Sequence, residues 1–174
     1  AIYNAKFVGS PIIITAGQQE QGHGLMEPQL FGPLVQMAEP LVKWAIEVTR
    51  LEDLPRIMRR AAKVALAPPS GPVFFSLPGD ILNTEKNIDL GGVTRINDNV
   101  VPDDKTISTI IKRIIKSTKP MIISGHEVAC TNAFDEIQKF AEVIGAAVYQ
   151  QTVTHGSHYP SEHQNFMGFL PKNQ

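Results

Sequence analysis

The sequence predicts an α/β protein built from two partial three-layer α/β lobes, each with a parallel sheet. Short β-branched runs that end at glycine or proline alternate with longer segments of helical periodicity, which is typical of parallel strands joined by helices. A polar, turn-rich stretch near the middle of the chain divides this alternation in two. Each lobe offers only two or three strands, which is few for a parallel sheet covered on both faces.

The chain opens on what reads as the last turns of a helix. Ala1, Ile2 and Ala5 have helical spacing, and a Gly-Ser-Pro stop signal follows at residues 9–11. This pattern suggests a helix whose beginning is missing, and the alternative is a short native terminal helix. No basic segment followed by a long apolar run precedes the stop, so we expect no signal peptide.

The first lobe continues with a buried strand at Pro11–Ala16, ended by Gly17, and a loop-rich segment from residue 17 to about 38. A second short strand is predicted within Pro40–Val48. Thr49 and Glu52 then form a capping box for a helix. The apolar face of this helix consists of Leu51, Leu54, Ile57, Met58, Ala61, Ala62 and Ala65. The helix stops at a Pro-Pro pair, and a further buried strand covers residues 71–78.

The second lobe restarts the pattern after the polar stretch. Asp103 or Asp104 caps a helix, Lys119–Gly125 is a strand, and Thr131 caps another helix that Gly145 closes. The first of these helices has an apolar face formed by Ile107, Ile110, Ile111, Ile114 and Ile115. Residues 146–150 follow as a strand, and residues 151–174 are predicted to form a long loop.

The composition excludes several classes of protein. Of the 174 residues, 43% are hydrophobic and 19% charged, and the net charge is −1 with no basic cluster. Nothing in this balance favours nucleic acid or a membrane surface as a partner. The apolar runs are far too short for a membrane span. The single cysteine, Cys130, permits no internal disulfide and fits a reducing, cytoplasmic compartment.

The loop T-A-G-Q-Q-E-Q-G-H-G, residues 15–24, follows the first strand and is a candidate ligand site. It lacks the glycine spacing of a dinucleotide fingerprint and the G-K-[ST] of a Walker loop. The sequence also gives little support for a metal site. His155 and His158 are three residues apart, but they lie in a loop that fixes no geometry, so solvated histidines are the favoured interpretation.

The order of these segments resembles the thiamine-diphosphate-dependent decarboxylase and acetolactate synthase superfamily, and the benzoylformate decarboxylases in particular. The stretches that carry the resemblance are T-A-G-Q, P-L-V-K-W and G-P-V-F-F-S-L-P in the first lobe. In the second lobe they are S-T-K-P-M-I-I-S-G and Y-P-S-E-H-Q-N-F-M-G-F-L-P. The resemblance is collinear over essentially the whole chain.

The resemblance implies a domain organisation. Residues 1–83 correspond to the C-terminal half of the family's pyrimidine-binding domain, residues 84–102 to a linker, and residues 103–174 to the first half of its Rossmann-like central domain. The family's activating glutamate and its magnesium-diphosphate motif have no counterpart in these residues. The chain is therefore expected to be an internal fragment that is inactive by itself.

The resemblance also implies the chemistry of the complete enzyme. It would decarboxylate or carboligate a 2-oxo acid with thiamine diphosphate and Mg²⁺, whose main binding determinants lie outside this chain, and it would be a homodimer or homotetramer. The alternative is a non-catalytic nucleotide-binding or interaction module built on the central-domain fold.

Five site residues follow from the resemblance. Gly17 and Gln18 match the family's G-Q at the strand end, beside the substrate pocket, which implies a backbone turn at Gly17 and an amide that hydrogen-bonds a substrate or its neighbours. The alternative is a turn with a solvated Gln18. Leu30 and Phe31 fall where relatives place apolar pocket residues. Packing within the loop is the alternative for Leu30 and Phe31. His163 matches a histidine that acts in proton transfer, for which an imidazole is well suited. The alternative for His163 is a solvent-facing loop histidine.

Overall fold

The computed structural model describes residues 1–93, 100–152 and 156–171. The chain divides into two compact units, Ala1–Asp98 and Asn99–Gln174. None of the helices in the described residues has the length and apolar character that a bilayer crossing requires.

The first unit is organised around a parallel sheet of three strands. These are β1 (Ile13–Gln18), β2 (Ala45–Glu47) and β3 (Val73–Pro78), in the spatial order β1-β3-β2. The longest pairing joins β1 to β3 over six residues, from Ile13 opposite Val73 to Gln18 opposite Pro78. Because all three strands are parallel, their carboxyl ends meet at one edge of the sheet.

The described part of this unit, residues 1–93, contains four α-helices: α1 (Ile2–Val8), α2 (Leu34–Ala38), α3 (Leu54–Leu66) and α4 (Gly79–Leu82). Helix α1 ends at Gly9, whose φ of 70° is the left-handed conformation that the stop signal predicts. Lys43 caps the carboxyl end of α3. Its Nζ donates hydrogen bonds to the carbonyl oxygens of Val64 and Ala67 there.

The core of the first unit lies between the sheet and α3. Ile57, Ala61 and Ala65 of α3 pack against Val73 and Phe75 of β3, and all five are buried. These helix positions recur at intervals of four residues, so they share one face. β3 is the central strand of the sheet and pairs with both β1 and β2. Its Phe75, which packs in the core with α3, is only 2% exposed.

The second unit contains another parallel sheet, of β4 (Met121–Ser124), β5 (Ala147–Gln150) and β6 (Phe166–Phe169), in that spatial order. Its helices are α5 (Asp104–Ile115), α6 (His126–Cys130) and α7 (Phe134–Ile144). The core joins Ala141 of α7, Val148 of β5 and Tyr159. The two three-stranded parallel sheets confirm the predicted α/β class.

Two predicted N-terminal helix caps are wrong, and one is confirmed. Thr49 makes no capping hydrogen bond, because a short 3-10 turn at Leu51–Asp53 precedes α3 and moves its start past the predicted box. Thr131 closes α6 instead of opening α7, since its hydroxyl donates to the carbonyl oxygen of Glu127. Asp103 caps α5 as predicted, accepting the N–H of Thr106 at 2.7 Å.

The prediction of a loop from residue 151 onward is also wrong, because it misses β6. This strand contains Gly168 at a φ of 101° and pairs with β5 through a register shift, so no regular alternation marks it in the sequence. Helix α2 falls inside the predicted loop-rich segment, and the second strand is shorter than the range predicted for it. Gly145 ends α7 at a φ of 62°, as predicted.

Replacing Phe75 by alanine is expected to lower the free energy of unfolding by about 3–4 kcal/mol, because it leaves a cavity beneath α3. The measurement is urea denaturation followed by the fluorescence of Trp44, the chain's single tryptophan, which packs against this core. The control is Leu66→Ala at a residue 63% exposed on α3, which should cost less than about 0.5 kcal/mol. Equal costs for the two variants would contradict this assignment of the core.

Candidate functional site at the carboxyl edge of the first sheet

The loop that follows β1 leaves the sheet at its carboxyl edge. Gln18 is the last residue of β1 and lies opposite Pro78, the last residue of β3. Helix α4 begins at the next residue, Gly79, so the loop and α4 start side by side. In open parallel sheets this edge is where ligands bind.

The amide of Gln18 is engaged within its own loop. Its Nε2 donates to the carbonyl oxygen of Gly32 at 2.7 Å, and its Oε1 accepts the backbone N–H of Gln19 at 2.9 Å. Gln19 makes a similar hydrogen bond: its Nε2 donates to the carbonyl oxygen of Gln29 at 2.7 Å. Both glutamines therefore tie the far side of the loop to the end of β1.

A third glutamine ties the loop to α4. Gln21 donates its backbone N–H to Oδ1 of Asp80 at 3.1 Å and its Nε2 to Oδ2 at 2.8 Å. The backbone hydrogen bond from Gln21 is the largest cause that lowers the pKa of Asp80 below its ordinary value of 3.8. Asp80 is thus an ionised anchor for the loop at neutral pH.

The loop presents Leu30 and Phe31 to the outside. Leu30 is 86% exposed and Phe31 is 45% exposed. Leu30 has a φ of 69°, a left-handed conformation that branched side chains rarely adopt. The ring of Phe31 lies against Gly24, where a Cβ would come within 2.8 Å of the Phe31 Cζ. The two residues are therefore held outward without being packed into the core.

Gly17 lies inside β1 and not in a turn, so the turn expected at this glycine is wrong. A Cβ at Gly17 would meet no atom within 4 Å. The backbone at Gly17 is accessible from the side on which a Cβ would point. A small ligand could approach the strand at this point.

A partly buried polar pair near the same edge was not predicted. Ser76 of β3 is fully buried and donates its hydroxyl to Oε2 of Glu47, the last residue of β2, at 2.9 Å. The available signal was a glutamate within the apolar run W-A-I-E-V, because a carboxylate there needs a buried partner. Asp80 was missed for a different reason: its partner, Gln21, is 59 residues away in the sequence.

His163 lies in the second unit and is held at both ring nitrogens. Its Nδ1 is 3.0 Å from the hydroxyl of Tyr159 and accepts the backbone N–H of Asn165 at 3.2 Å. Its Nε2 is 3.1 Å from Oε1 of Glu142. Because a backbone N–H can only donate, Nδ1 must be the acceptor, so we assign the proton of the neutral ring to Nε2.

His163 lies at the amino edge of the second sheet. Its neighbour Asn165 donates its side-chain amide to the carbonyl oxygen of Ala146, the residue just before β5. The partner Glu142 is in the last turn of α7, which leads into the same strand. Burial and the charge of Glu142 raise the pKa of Tyr159, which keeps its hydroxyl protonated as a donor to Nδ1.

The described residues contain no group of three or more His, Cys, Asp or Glu side chains that could hold a metal ion. His155, one of the two histidines considered as a zinc pair, lies outside the described residues. His158 is fully buried, with its ring 6.2 Å from that of His126, so the prediction that it is solvated is wrong.

Replacing Asp80 by asparagine is expected to remove an acid-sensitive part of the stability of the first unit. A carboxylate with a lowered pKa in the folded chain stabilises that chain above its unfolded-state pKa, and this stabilisation disappears as the pH falls through the folded value. Wild type should therefore lose more stability than Asp80→Asn when the pH is lowered from 6 to below 3.8.

Urea denaturation at the two pH values, followed by Trp44 fluorescence, measures this difference. The control is Glu85→Gln at an exposed carboxylate of the same unit, which should leave the pH dependence of wild type unchanged. An identical pH dependence in wild type and Asp80→Asn would contradict the anchoring role.

Comparisons with known proteins confirm the resemblance expected from the sequence. Residues 107–174 match the family model described as the central domain of thiamine pyrophosphate enzymes. The chain is 28% identical to a benzoylformate decarboxylase of Pseudomonas aeruginosa, over 98% of this chain and 33% of that protein. It is 27% identical to an acetolactate synthase large subunit of Corynebacterium glutamicum, over 96% of this chain and 27% of that protein.

Solved structures give the same result. The benzoylformate decarboxylase of Polynucleobacter necessarius superposes with a TM-score of 0.84 at 33% sequence identity, covering 97% of this chain and 32% of that chain. The chain spans 27–33% of the length of these relatives. Residues 107–174 thus belong to the central-domain family of thiamine pyrophosphate enzymes, and nearly the whole chain is similar to benzoylformate decarboxylases and acetolactate synthases.

Proposed function

We propose that these 174 residues form part of a thiamine-diphosphate-dependent enzyme that decarboxylates or carboligates a 2-oxo acid. The observation that carries the proposal is the collinear match of nearly the whole chain to a benzoylformate decarboxylase. The outward-facing loop at the carboxyl edge of the first sheet supports it, since this is the edge where such folds bind small molecules.

In this proposal the chain supplies one wall of the substrate pocket. Leu30 and Phe31 contact the apolar part of the 2-oxo acid, and the open side of Gly17 leaves room for the ligand. Apolar residues around a reacting centre exclude water and strengthen the electrostatic interactions inside the site. Gln18 contributes by holding the wall, because both atoms of its amide are already engaged in the loop.

The cofactors of the complete enzyme are thiamine diphosphate and Mg²⁺, and thiamine diphosphate would supply the electron sink for decarboxylation. The described residues contain no group of three or more metal-ligating side chains, so they form no all-protein cage for Mg²⁺. The main binding determinants are therefore proposed to lie outside this chain, and the chain alone to be inactive. A homodimer or homotetramer and a cytoplasmic location remain predictions.

His163 is a candidate for proton transfer by resemblance, and its contacts favour a structural role. Both ring nitrogens are engaged within the second unit, and the ring lies at the amino edge of its sheet. A proton-transfer role would require Nε2 to leave Glu142 and face a substrate. The two roles make different predictions for the isolated chain.

Replacing His163 by phenylalanine keeps a ring against Tyr159 and removes the hydrogen bonds. If His163 is structural, the free energy of unfolding of the second unit falls by about 1–2 kcal/mol, because the Asn165 N–H loses its partner. Thermal unfolding followed by circular dichroism measures this, with Val143→Ala as the control at a residue 84% exposed on α7, the helix that carries Glu142. Unchanged stability would contradict the structural role.

A chimera tests the proposed function directly. This chain replaces the collinear segment of the Pseudomonas aeruginosa benzoylformate decarboxylase, and CO₂ release is measured from a panel of aliphatic and aromatic 2-oxo acids. We expect thiamine-diphosphate-dependent turnover of at least one substrate. A chimera that retains the cofactor and turns over none of the panel would contradict the proposal.

Gly17→Ala is the matched probe within that chimera. It should leave the stability within about 0.5 kcal/mol, because the added methyl group meets no protein atom. Turnover should nevertheless fall, and most for the bulkiest 2-oxo acids, because the methyl group occupies space proposed for the ligand. Equal turnover by both chimeras would remove Gly17 from the proposed pocket.

A further inference from the structure

Two glutamine amides hold the loop backbone on both sides of Leu30 and Phe31. Gln19 Nε2 donates to the carbonyl oxygen of Gln29, the residue before Leu30. Gln18 Nε2 donates to the carbonyl oxygen of Gly32, the residue after Phe31. Both donor–acceptor distances are 2.7 Å, so the exposed pair is bracketed by two short hydrogen bonds.

Both hydrogen bonds come from residues at the end of β1, which the sheet holds in place. Gln18 is the last residue of β1 and is paired with β3 through Pro78. Its Oε1 accepts the backbone N–H of Gln19 at 2.9 Å, which fixes which end of the Gln18 amide faces Gly32. The position of the Leu30 backbone is thus tied to the sheet through side chains.

The backbone conformation of Leu30 needs contacts that hold it in place. A leucine at a φ of 69° is strained and persists only where its surroundings impose that conformation. Burial does not impose it, because the residue is 86% exposed. The hydrogen bonds of Gln18 and Gln19 to the flanking carbonyls, with the turn from Phe31 N–H to Pro28 O, are the contacts that can.

We propose that Gln18 and Gln19 are positioning residues whose amides hold Leu30 and Phe31 in place as the apolar specificity determinant of the site. The ligand chemistry is the hydrocarbon part of a 2-oxo acid, and this assignment of ligand rests on the proposed function. The glutamines act through the loop and not by contact with the substrate.

The test uses the full chain, labelled with ¹⁵N and ¹³C, and compares Gln18→Met and Gln19→Met with wild type. The control is Gln29→Met, which removes an exposed glutamine side chain from the same loop and keeps the carbonyl that Gln19 binds. The readout is the strong cross-peak between the amide and α protons of Leu30, which a positive φ produces and a general loss of stability does not alter.

We expect this cross-peak in wild type and Gln29→Met, and its loss in Gln18→Met and Gln19→Met. Retention of the cross-peak in both test variants would overturn the inference. If Gln18→Met fails to fold, as judged by Trp44 fluorescence, Gln19→Met alone decides, because Gln19 lies outside the sheet.

Benzoylformate, added to each variant as the probe, separates this inference from the proposed function. In wild type and Gln29→Met we expect shifts of the Leu30 methyl and Phe31 ring signals, and in the two test variants their loss. Loss of the cross-peak in the test variants without any wild-type response to the probe would support the positioning role and count against the proposed ligand.

Discussion

The parallel pairing of β1 with β3 is the constraint on which the candidate site depends. The two strands run together for six residues and end together, at Gln18 and Pro78. The loop after β1 and helix α4 therefore leave the sheet at the same point, and Gln21 reaches Asp80 across 59 residues of sequence. A register slip of one residue would turn Gln18 to the opposite face of the sheet and separate it from Gly32.

Much of this arrangement could be predicted from local sequence. β-branched runs and the glycine stops at Gly9 and Gly145 act within a few residues, so the sequence predicted the strands of the first sheet and two helix ends. The hydrogen bonds of Gln18 and Gln19 could not be predicted, because their acceptors are loop carbonyls whose positions depend on the whole loop. β6 was missed for a similar reason. It forms by pairing with β5, and its own sequence shows no regular alternation of apolar and polar residues.

In the second unit, the sequence motif located His163 but did not reveal what surrounds its side chain. The sequence placed His163 in a matching stretch, but access to a histidine depends on what occupies its two nitrogens. Here Tyr159, Asn165 and Glu142 occupy them. The apolar face predicted for α5 was also a local property: Ile110 and Ile111 are on the helix as expected, and both are 48% exposed.

We propose that these residues form one wall of a substrate site whose cofactor is held elsewhere. Calorimetric titration of the folded chain with thiamine diphosphate and Mg²⁺ tests it most directly. We expect no saturable heat of binding. A dissociation constant in the micromolar range, about −8 kcal/mol, would contradict it, because the chain would then hold the cofactor with its own residues.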